Sequence, residues 1–349
     1  MNRKSAWSVV DIFCGAGGLS HGFYRAGFRI AAGIDADSTC RHPFETNNCS
    51  IFVGRPLEEI SASEIEGLYL EGHRRILVGC APCTPFSAYT PERKKRRNDK
   101  WGLLSIFAER IKQLQPDIVS MENVPRLASF DDGRVLDEFI DQLETDYHVT
   151  VRTVNCCDFG APQRRSRLVL LASKLGVLTL EPPKCKRMQT VRDAIGHLPP
   201  LRHGETHPSD RLHRAAGLSP LNLERIQLSK PSGTWEDWPA RFRAKCHQRR
   251  SGRTYRNVYG RMSWDDAAPT ITTGCHGYGR GRFGHPEQDR AISLREAALL
   301  QTFPPDYSFV ADDEAVHTNR VGRHIGNAVP VVLGEAIARS IAKHIEETE

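Results

Sequence analysis

The stretch SVVDIFCGAGGLSHGF, residues 8–23, decides the fold. SVVDIF (8–13) is an apolar run of strand length, Gly15, Gly17 and Gly18 permit a tight turn, and a helix begins near Leu19. A strand that passes through such a turn into a helix presents backbone N–H groups closely to a ligand. Twenty residues after Gly15, Asp35 follows a second apolar run, FRIAAGI (28–34), where a carboxylate can accept from ribose hydroxyls. Glycine turn and spaced acid together indicate an adenosine-type cofactor. They do not separate a nicotinamide dinucleotide from other nucleoside cofactors, and glycine for turn geometry alone is the plainer alternative.

Further strands are predicted at RRILVGC (74–80), DIVSME (117–122), HVTVRTVNC (148–156) and RLVLLAS (167–173). Helical patterns lie between them at WGLLSIFAERIKQL (101–114) and GRVLDEFIDQLE (133–144). This alternation predicts an α/β fold, a mostly parallel, Rossmann-like sheet with helices on both faces. From about 180 to 262 the pattern gives way to prolines and arginines, as in a second, smaller domain of irregular build. Helical periodicity returns at SLREAALLQTF (293–303) and VLGEAIARSIAKHIEE (332–347). The expected division is therefore a catalytic and cofactor-binding domain over 1–178 and an irregular domain over 179–325. Residues 326–349 are expected to pack back on the first domain.

Charge separates the same regions. Lys184 to Arg261 carries 17 Lys and Arg against 6 Asp and Glu, a surplus of +11, so the rest of the chain sums to −5 of the net +6. Arg outnumbers Lys there by 13 to 4, which favours phosphate and base-edge contacts over a merely solvated surface. No window approaches 18 uncharged apolar residues, so no membrane partner is expected. The N-terminal apolar run VVDIF is too short for a signal peptide and contains an acid, which predicts a cytoplasmic chain. Ten scattered cysteines without an export signal are read as mostly small buried hydrophobes. Cys80 and Cys83 form a C-x-x-C pair, but a closed zinc site wants a second pair, and no metal is expected.

The chemistry collects at strand ends. Cys83, in GCAPCTPFSAYTPERKKRR (79–97), follows the third long strand, at the carboxyl edge where open α/β sheets place ligands. A cationic segment nearby would make its thiol a nucleophile. Glu122 ends the next strand, and Arg165 and Arg167 of QRRSR (163–167) lean to one side if that segment is extended. A buried Cys, an exposed Glu or a surface Arg pair is singly more often structural; together at successive strand ends they point to a site.

In order along the chain, these residues resemble the DNA (cytosine-5) methyltransferases of bacterial restriction-modification systems. FCGAGG resembles the family's cofactor turn, PC followed by FS its nucleophile loop, ENV its carboxylate motif and QRRSR its Q-x-R-x-R segment. R-x-S-W-D with APTI (261–271) and GNAVP (326–330) resemble its closing motifs. The match spans the chain except about 180–260, where the family carries its variable target-recognition region.

The resemblance implies transfer of a methyl group from S-adenosylmethionine, leaving S-adenosylhomocysteine, to carbon 5 of a cytosine flipped out of a specific double-stranded sequence. Cys83 would attack carbon 6, Glu122 would contact the ring nitrogen and exocyclic amine, and Arg167, assisted by Arg165, would hold the exocyclic oxygen. It places the cofactor at Asp11, Phe13, Gly15, Ala16, Gly17, Gly18, Asp35, Ala36, Pro82, Asn327 and Val329. DNA contacts are expected from Ser87, Tyr89 and the basic run Arg93, Lys94, Lys95, Arg96 and Arg97, as a closing arm. Arg249, Arg250, Arg253 and Arg256 join them, and the glycine-rich GCHGYGRGRFG (274–284) is read either as a recognition turn that admits close approach to a groove or, equally, as a plain flexible loop.

Two positions depart from the family pattern. Thr84 stands where Gln is usual, and Arg55 stands where an acid commonly contacts the adenine amine: either the alignment slips there, another residue such as Glu58 substitutes, or cofactor affinity is unusual. The expected setting is a bacterial cytoplasm at the nucleoid, with a monomer acting on DNA and a cognate restriction endonuclease working separately. The rivals are RNA methylation, a catalytically dead DNA-binding regulator, and a nicotinamide oxidoreductase. The long variable region favours DNA over RNA, the intact Cys83, Glu122 and Arg167 oppose a dead regulator, and that set with the basic domain opposes an oxidoreductase.

Overall fold

The computed structural model describes residues 6–82, 102–183, 185, 187–249 and 256–349. The chain divides into two compact units. The first comprises Met1–Phe159, Ser166–Lys184 and Ala328–Glu349; the second comprises Gly160–Arg165 and Cys185–Asn327. The boundaries therefore differ from a single cut near 178. A six-residue piece, Gly160–Arg165, leaves the first unit for the second before the last strand of the large sheet.

The first unit is built on seven strands: β1 Trp7–Ile12, β2 Arg29–Ile34, β3 Ile51–Val53, β4 Arg74–Gly79, β5 Ile118–Asn123, β6 His148–Asn155 and β7 Ser166–Ser173. Their order is β3-β2-β1-β4-β5-β7-β6. β1 to β5 pair in parallel, and β7 lies antiparallel between β5 and β6. Every residue of β1 and β5 is buried, as strands covered on both faces require. The short β3 has no counterpart among the predicted strands: three residues are too few for an alternation signal.

Helices α1 Gly18–Arg25, α2 Arg41–Asn48, α3 Ala62–Glu66, α4 Gly102–Leu114 and α5 Arg134–Glu144 connect these strands. On one side of the sheet, Val10, Ile12, Leu77, Val119 and Met121 pack with Phe107, Ala108 and Ile111 of α4 and Leu136, Phe139 and Leu143 of α5. α3 begins on a capping box, Ser61 accepting from the Glu64 N–H while Glu64 accepts from the Ser61 N–H.

In the second unit, α6 Val191–Ile195, α7 Pro220–Leu228, α8 Lys245–Gln248, α9 Leu294–Leu300 and α10 Thr318–Asn327 surround a two-stranded ribbon of β8 Thr206–His207 and β9 Asp210–Arg214. An aromatic core replaces an extensive sheet: Trp235, Trp238, Phe242 and Tyr278 pack with Ile226 and Ala291. Trp238 Nε1 donates to Ser229 Oγ at 2.9 Å, and the Ser229 and Tyr278 hydroxyls lie 2.7 Å apart, so the buried polar tips are satisfied. A second anchor is ionic. Arg290 and Glu296, both fully buried, form a bidentate pair with 2.7 Å contacts, and Glu296 also accepts from the Ser293 N–H that opens α9.

The last helix, α11 Val331–Thr348, belongs to the first unit and packs on α1. A Cβ at Gly22 would lie 2.4 Å from Glu335 N and 2.5 Å from Gly334 C, so glycine is what lets the two helix backbones meet. Among the described residues one stretch, Thr318–Thr348, has the length and apolarity of a membrane span. Its apolar window is 78% buried, as in a core helix.

Candidate active site

Sheet order reverses across β1 and β4, the crevice where open α/β sheets bind ligands. The pairings Ile12↔Ile34, Ile12↔Gly79 and Gly79↔Met121 align the strand ends, so Phe13, Asp35, Cys80 and Glu122 follow at one rim.

The turn after β1 is held in a left-handed backbone at Phe13 (φ 61°), Gly15 (φ 52°) and Gly17 (φ 87°). Phe13 tolerates this conformation while its ring packs edge-on to Phe107, with centroids 6.3 Å apart. Gly15 N–H donates to Asp35 Oδ2 at 2.9 Å, and Asp37 N–H donates to Asp35 Oδ1 at 2.8 Å. Nothing lies within 4 Å of where a Gly15 Cβ would be, so the turn opens on free space. Burial pushes the Asp35 carboxyl up, against the pull of those two N–H donors. Behind the turn Asp11 is fully buried and accepts from Ser20 Oγ at 2.5 Å, while its Oδ1 has no hydrogen-bond partner. Burial pushes this carboxyl up to about 7, opposed by the Ser20 hydroxyl and assisted by the Asp35 charge. Ala16, Gly17 and Gly18 are buried in the turn, Ala36 is exposed, and Pro82 is half-buried.

At the end of β5, Glu122 is 2% exposed. Its Oε1 lies 2.6 Å from Arg167 Nε and its Oε2 accepts from Cys80 Sγ at 2.8 Å. Because β7 runs antiparallel to β5, it is the beginning of β7 that reaches this rim, which brings Arg167 to Glu122. Asn123 Nδ2 donates to Ala81 O at 3.3 Å, tying the ENV segment to the chain that leads to Cys83. A buried carboxylate paired with a guanidinium, beside a glycine turn at a sheet switch point, can bind a planar polar ring next to a nucleoside.

The family model for C-5 cytosine-specific DNA methylase matches residues 7–343. The chain belongs to that family. It is 50% identical over 342 residues to the Type II methylase M.HgiDII of Herpetosiphon aurantiacus, spanning 97% of this chain and 96% of the relative. It is 33% identical to the Type II methyltransferase M1.HphI of Haemophilus parahaemolyticus, over 96% of this chain and 87% of that one. The solved structure of the Entamoeba histolytica methyltransferase EhMeth shares the fold, with a TM-score of 0.65 at 16% identity over 98% of each chain. The protein is thus a DNA cytosine-5 methyltransferase of the Type II restriction-modification kind.

In this methyltransferase several predicted site residues lie outside the described residues: Cys83, Ser87, Tyr89, Arg93, Lys94, Lys95, Arg96, Arg97, Arg250 and Arg253, with Thr84. Arg165 corrects the picture of an extended arginine pair. β7 begins at Ser166, and Arg165 belongs to the second unit, where it is buried and donates to Ile271 O at 3.0 Å and Gly326 O at 3.4 Å. Asn327 closes α10, exposed, in the second unit; Val329 is buried in the first.

The glycine-rich segment is also corrected. A Cβ at Gly279 would meet the Tyr259 ring at 2.8 Å, one at Gly281 the Phe283 ring at 2.4 Å, and one at Gly274 the Arg280 chain at 2.5 Å. These glycines make room for the protein's own side chains rather than for a groove. Several arginines of the surplus bond within their own unit. Arg261 donates to Ile226 O and His285 O, Arg225 to Phe242 O, Arg243 to Trp238 O, and Arg192 pairs with Asp265. Arg249 is exposed, and Arg256, also exposed, lies 3.5 Å from Glu236. Arg55 turns to Glu64 at 2.8 Å, and Glu58 is exposed on the adjoining turn.

Three contributors escaped the sequence reading. Cys80 was read only as half of a C-x-x-C pair, although its place one residue past β4 signals the rim. Gln163 is fully buried, donating to Leu300 O and accepting from Ile271 N–H, which knits QRRSR to APTI. The Arg290–Glu296 pair was missed too, although SLRE (293–296) spells a capping box.

Proposed function

We propose that this enzyme methylates carbon 5 of a flipped-out cytosine in one specific double-stranded sequence, through a covalent bond between Cys83 and the base. The observation that carries the reading is Glu122, buried at the carboxyl rim with Arg167 at 2.6 Å and with only β4 between its strand and the one that leads into the glycine turn. The turn fits a nucleoside cofactor: left-handed backbone, open space over Gly15 and a largely buried acid at Asp35 are what an adenosine sugar needs. S-adenosylmethionine supplies an electrophilic methyl group when bound. Asp35 would accept from its ribose hydroxyls, Gly15, Ala16, Gly17 and Gly18 would line its path, and Asp11 would brace the turn from behind. Phe13, Ala36, Pro82, Asn327 and Val329 complete the proposed set.

Carbon 5 of cytosine is a weak nucleophile. Addition of the Cys83 thiolate to carbon 6 moves the ring electrons onto carbon 5. Glu122, holding a proton at the ring nitrogen and accepting from the exocyclic amine, stabilises that adduct, while Arg167 holds the exocyclic oxygen. One preorganised donor of this kind contributes on the order of 3 kcal/mol. Once carbon 5 carries the methyl group, a base takes its proton and the thiolate leaves, restoring the ring. Arg165, bonded to the Ile271 and Gly326 carbonyls, assists by fixing the chain that leads into Arg167. The enzyme acts as a monomer in a bacterial cytoplasm at the nucleoid, with a restriction endonuclease as a separate partner. Arg249 and Arg256, with Arg250, Arg253 and the Arg93–Arg97 run, would meet phosphates, and Ser87 or Tyr89 would fill the gap that the flipped base leaves.

Bisulfite sequencing of genomic DNA from a methylation-deficient bacterial host expressing the chain tests this. Protected cytosines recurring in one short sequence, absent with Cys83→Ala, are expected. Soluble protein with no protected cytosine would overturn the DNA reading in favour of an RNA substrate.

A further inference from the structure

Cys80 and Glu122 leave the sheet side by side, because parallel β4 and β5 end with Gly79 opposite Met121. The Cys80 thiol donates to Glu122 Oε2 at 2.8 Å, across 42 residues of sequence. The other oxygen, Oε1, faces Arg167 Nε at 2.6 Å. A carboxylate withdrawn from water needs compensation at each oxygen: Oε2 accepts from the thiol, while Oε1 meets the Arg167 charge as an ion pair without a hydrogen bond. Among the described residues of the strands flanking β5, these two groups contact the carboxylate. Without the thiol, the bare oxygen is free to turn onto the guanidinium, since Arg and carboxylate favour two parallel bonds. A carboxylate locked that way against Arg167 is turned from the base it must meet.

We propose that Cys80 is a positioning residue for cytosine methylation, its thiol holding the Glu122 carboxylate in the orientation that receives the base. The inference rests on the proposed role of Glu122 at the cytosine ring. Cys80 acts through Glu122 and forms no bond to the base itself.

The test compares wild type, Cys80→Ala and Cys80→Ser on a duplex carrying the sequence identified by bisulfite mapping. Cys80→Ala is expected to lower kcat about tenfold, the scale of one hydrogen bond to a charged group, with KM for DNA changed less than about twofold. Cys80→Ser, whose hydroxyl also donates, recovers most of the rate. An unchanged kcat in Cys80→Ala, or a serine variant no better than alanine, overturns the proposal. A second arm needs no turnover: iodoacetamide labelling of Cys80 in the intact, DNA-free protein, followed by peptide mass spectrometry. A thiol that donates to a carboxylate is held as thiol, and the thiolate is the species alkylated, so Glu122→Gln is expected to speed labelling several-fold. Equal labelling rates overturn the contact. A wild type that methylates no DNA defeats the functional reading instead, and the labelling arm still decides the contact.

Discussion

Asp11 shows how one residue's burial is written into the pH dependence of the whole molecule. It lies at the end of β1 with no exposed surface, and burial raises its carboxyl to about 7 from an ordinary 3.8. The folded protein therefore keeps a proton that the unfolded chain releases near pH 4. Stability from this group is full below about pH 4, falls as pH rises, and levels off above about 7. Asp11→Asn keeps an acceptor for the Ser20 hydroxyl and removes the titration. Urea midpoints at pH 5 and pH 8 are expected to converge in the variant, removing a difference of about 2.5 kcal/mol. Parallel pH dependence in the two proteins would count against the buried carboxyl. Asp11 was legible in the sequence as part of a strand-to-turn motif. That it is wholly desolvated was not, because burial depends on what α1 lays over it.

At the scale of elements, the contact between α1 and α11 depends on two glycines more than 300 residues apart. Gly22→Ala puts a methyl group 2.4 Å from Glu335 N, into backbone that cannot rotate aside. The helices must separate, and a loss of about 3 kcal/mol is expected, against the small gain alanine brings to an isolated helix. Thermal unfolding of Gly22→Ala beside a control, Gly102→Ala, where a Cβ has nothing within 4 Å, checks this. A Gly22→Ala midpoint at or above wild type would show that the helices adapt. The periodicity of 332–347 announced the last helix; its partner was not readable, because glycine inside a helix looks like a weakness until the neighbouring backbone is known. The same holds for Arg165 and Arg167. Their spacing suggested one face of a strand, but the strand starts between them, and each arginine serves a different unit.

For the whole molecule, charge and fold divide the labour between an α/β unit with an open sheet and an arginine-rich one. The surplus over Lys184–Arg261 overstated the charge available to DNA, because Arg225, Arg243 and Arg261 bond to carbonyls of their own unit. Arg249, exposed, is among the described residues proposed to pair with a phosphate. Arg249→Ala is expected to weaken binding to all duplexes alike and to flatten the slope of log K against log salt by about 0.9. Fluorescence anisotropy at several salt concentrations measures it. A loss confined to the target sequence, with the slope intact, would make Arg249 a base reader instead.

Apolar runs, the glycine turn, the spaced acid and the ordered Cys, Glu and Arg motifs determined the α/β class and the family, and singled out the rim proposed for the chemistry. Such features are local, and local pattern reports backbone preference and residue chemistry directly. Tertiary structure alone decided what each side chain spends its hydrogen bonds on. It set Cys80 against Glu122, sent Arg165 to the Ile271 carbonyl, and packed the 274–284 glycines against their own tyrosine and phenylalanine. The first two choices depend on partners 42 and 106 residues away, brought to about 3 Å by strand register and packing, and no short stretch of sequence encodes a register on its own.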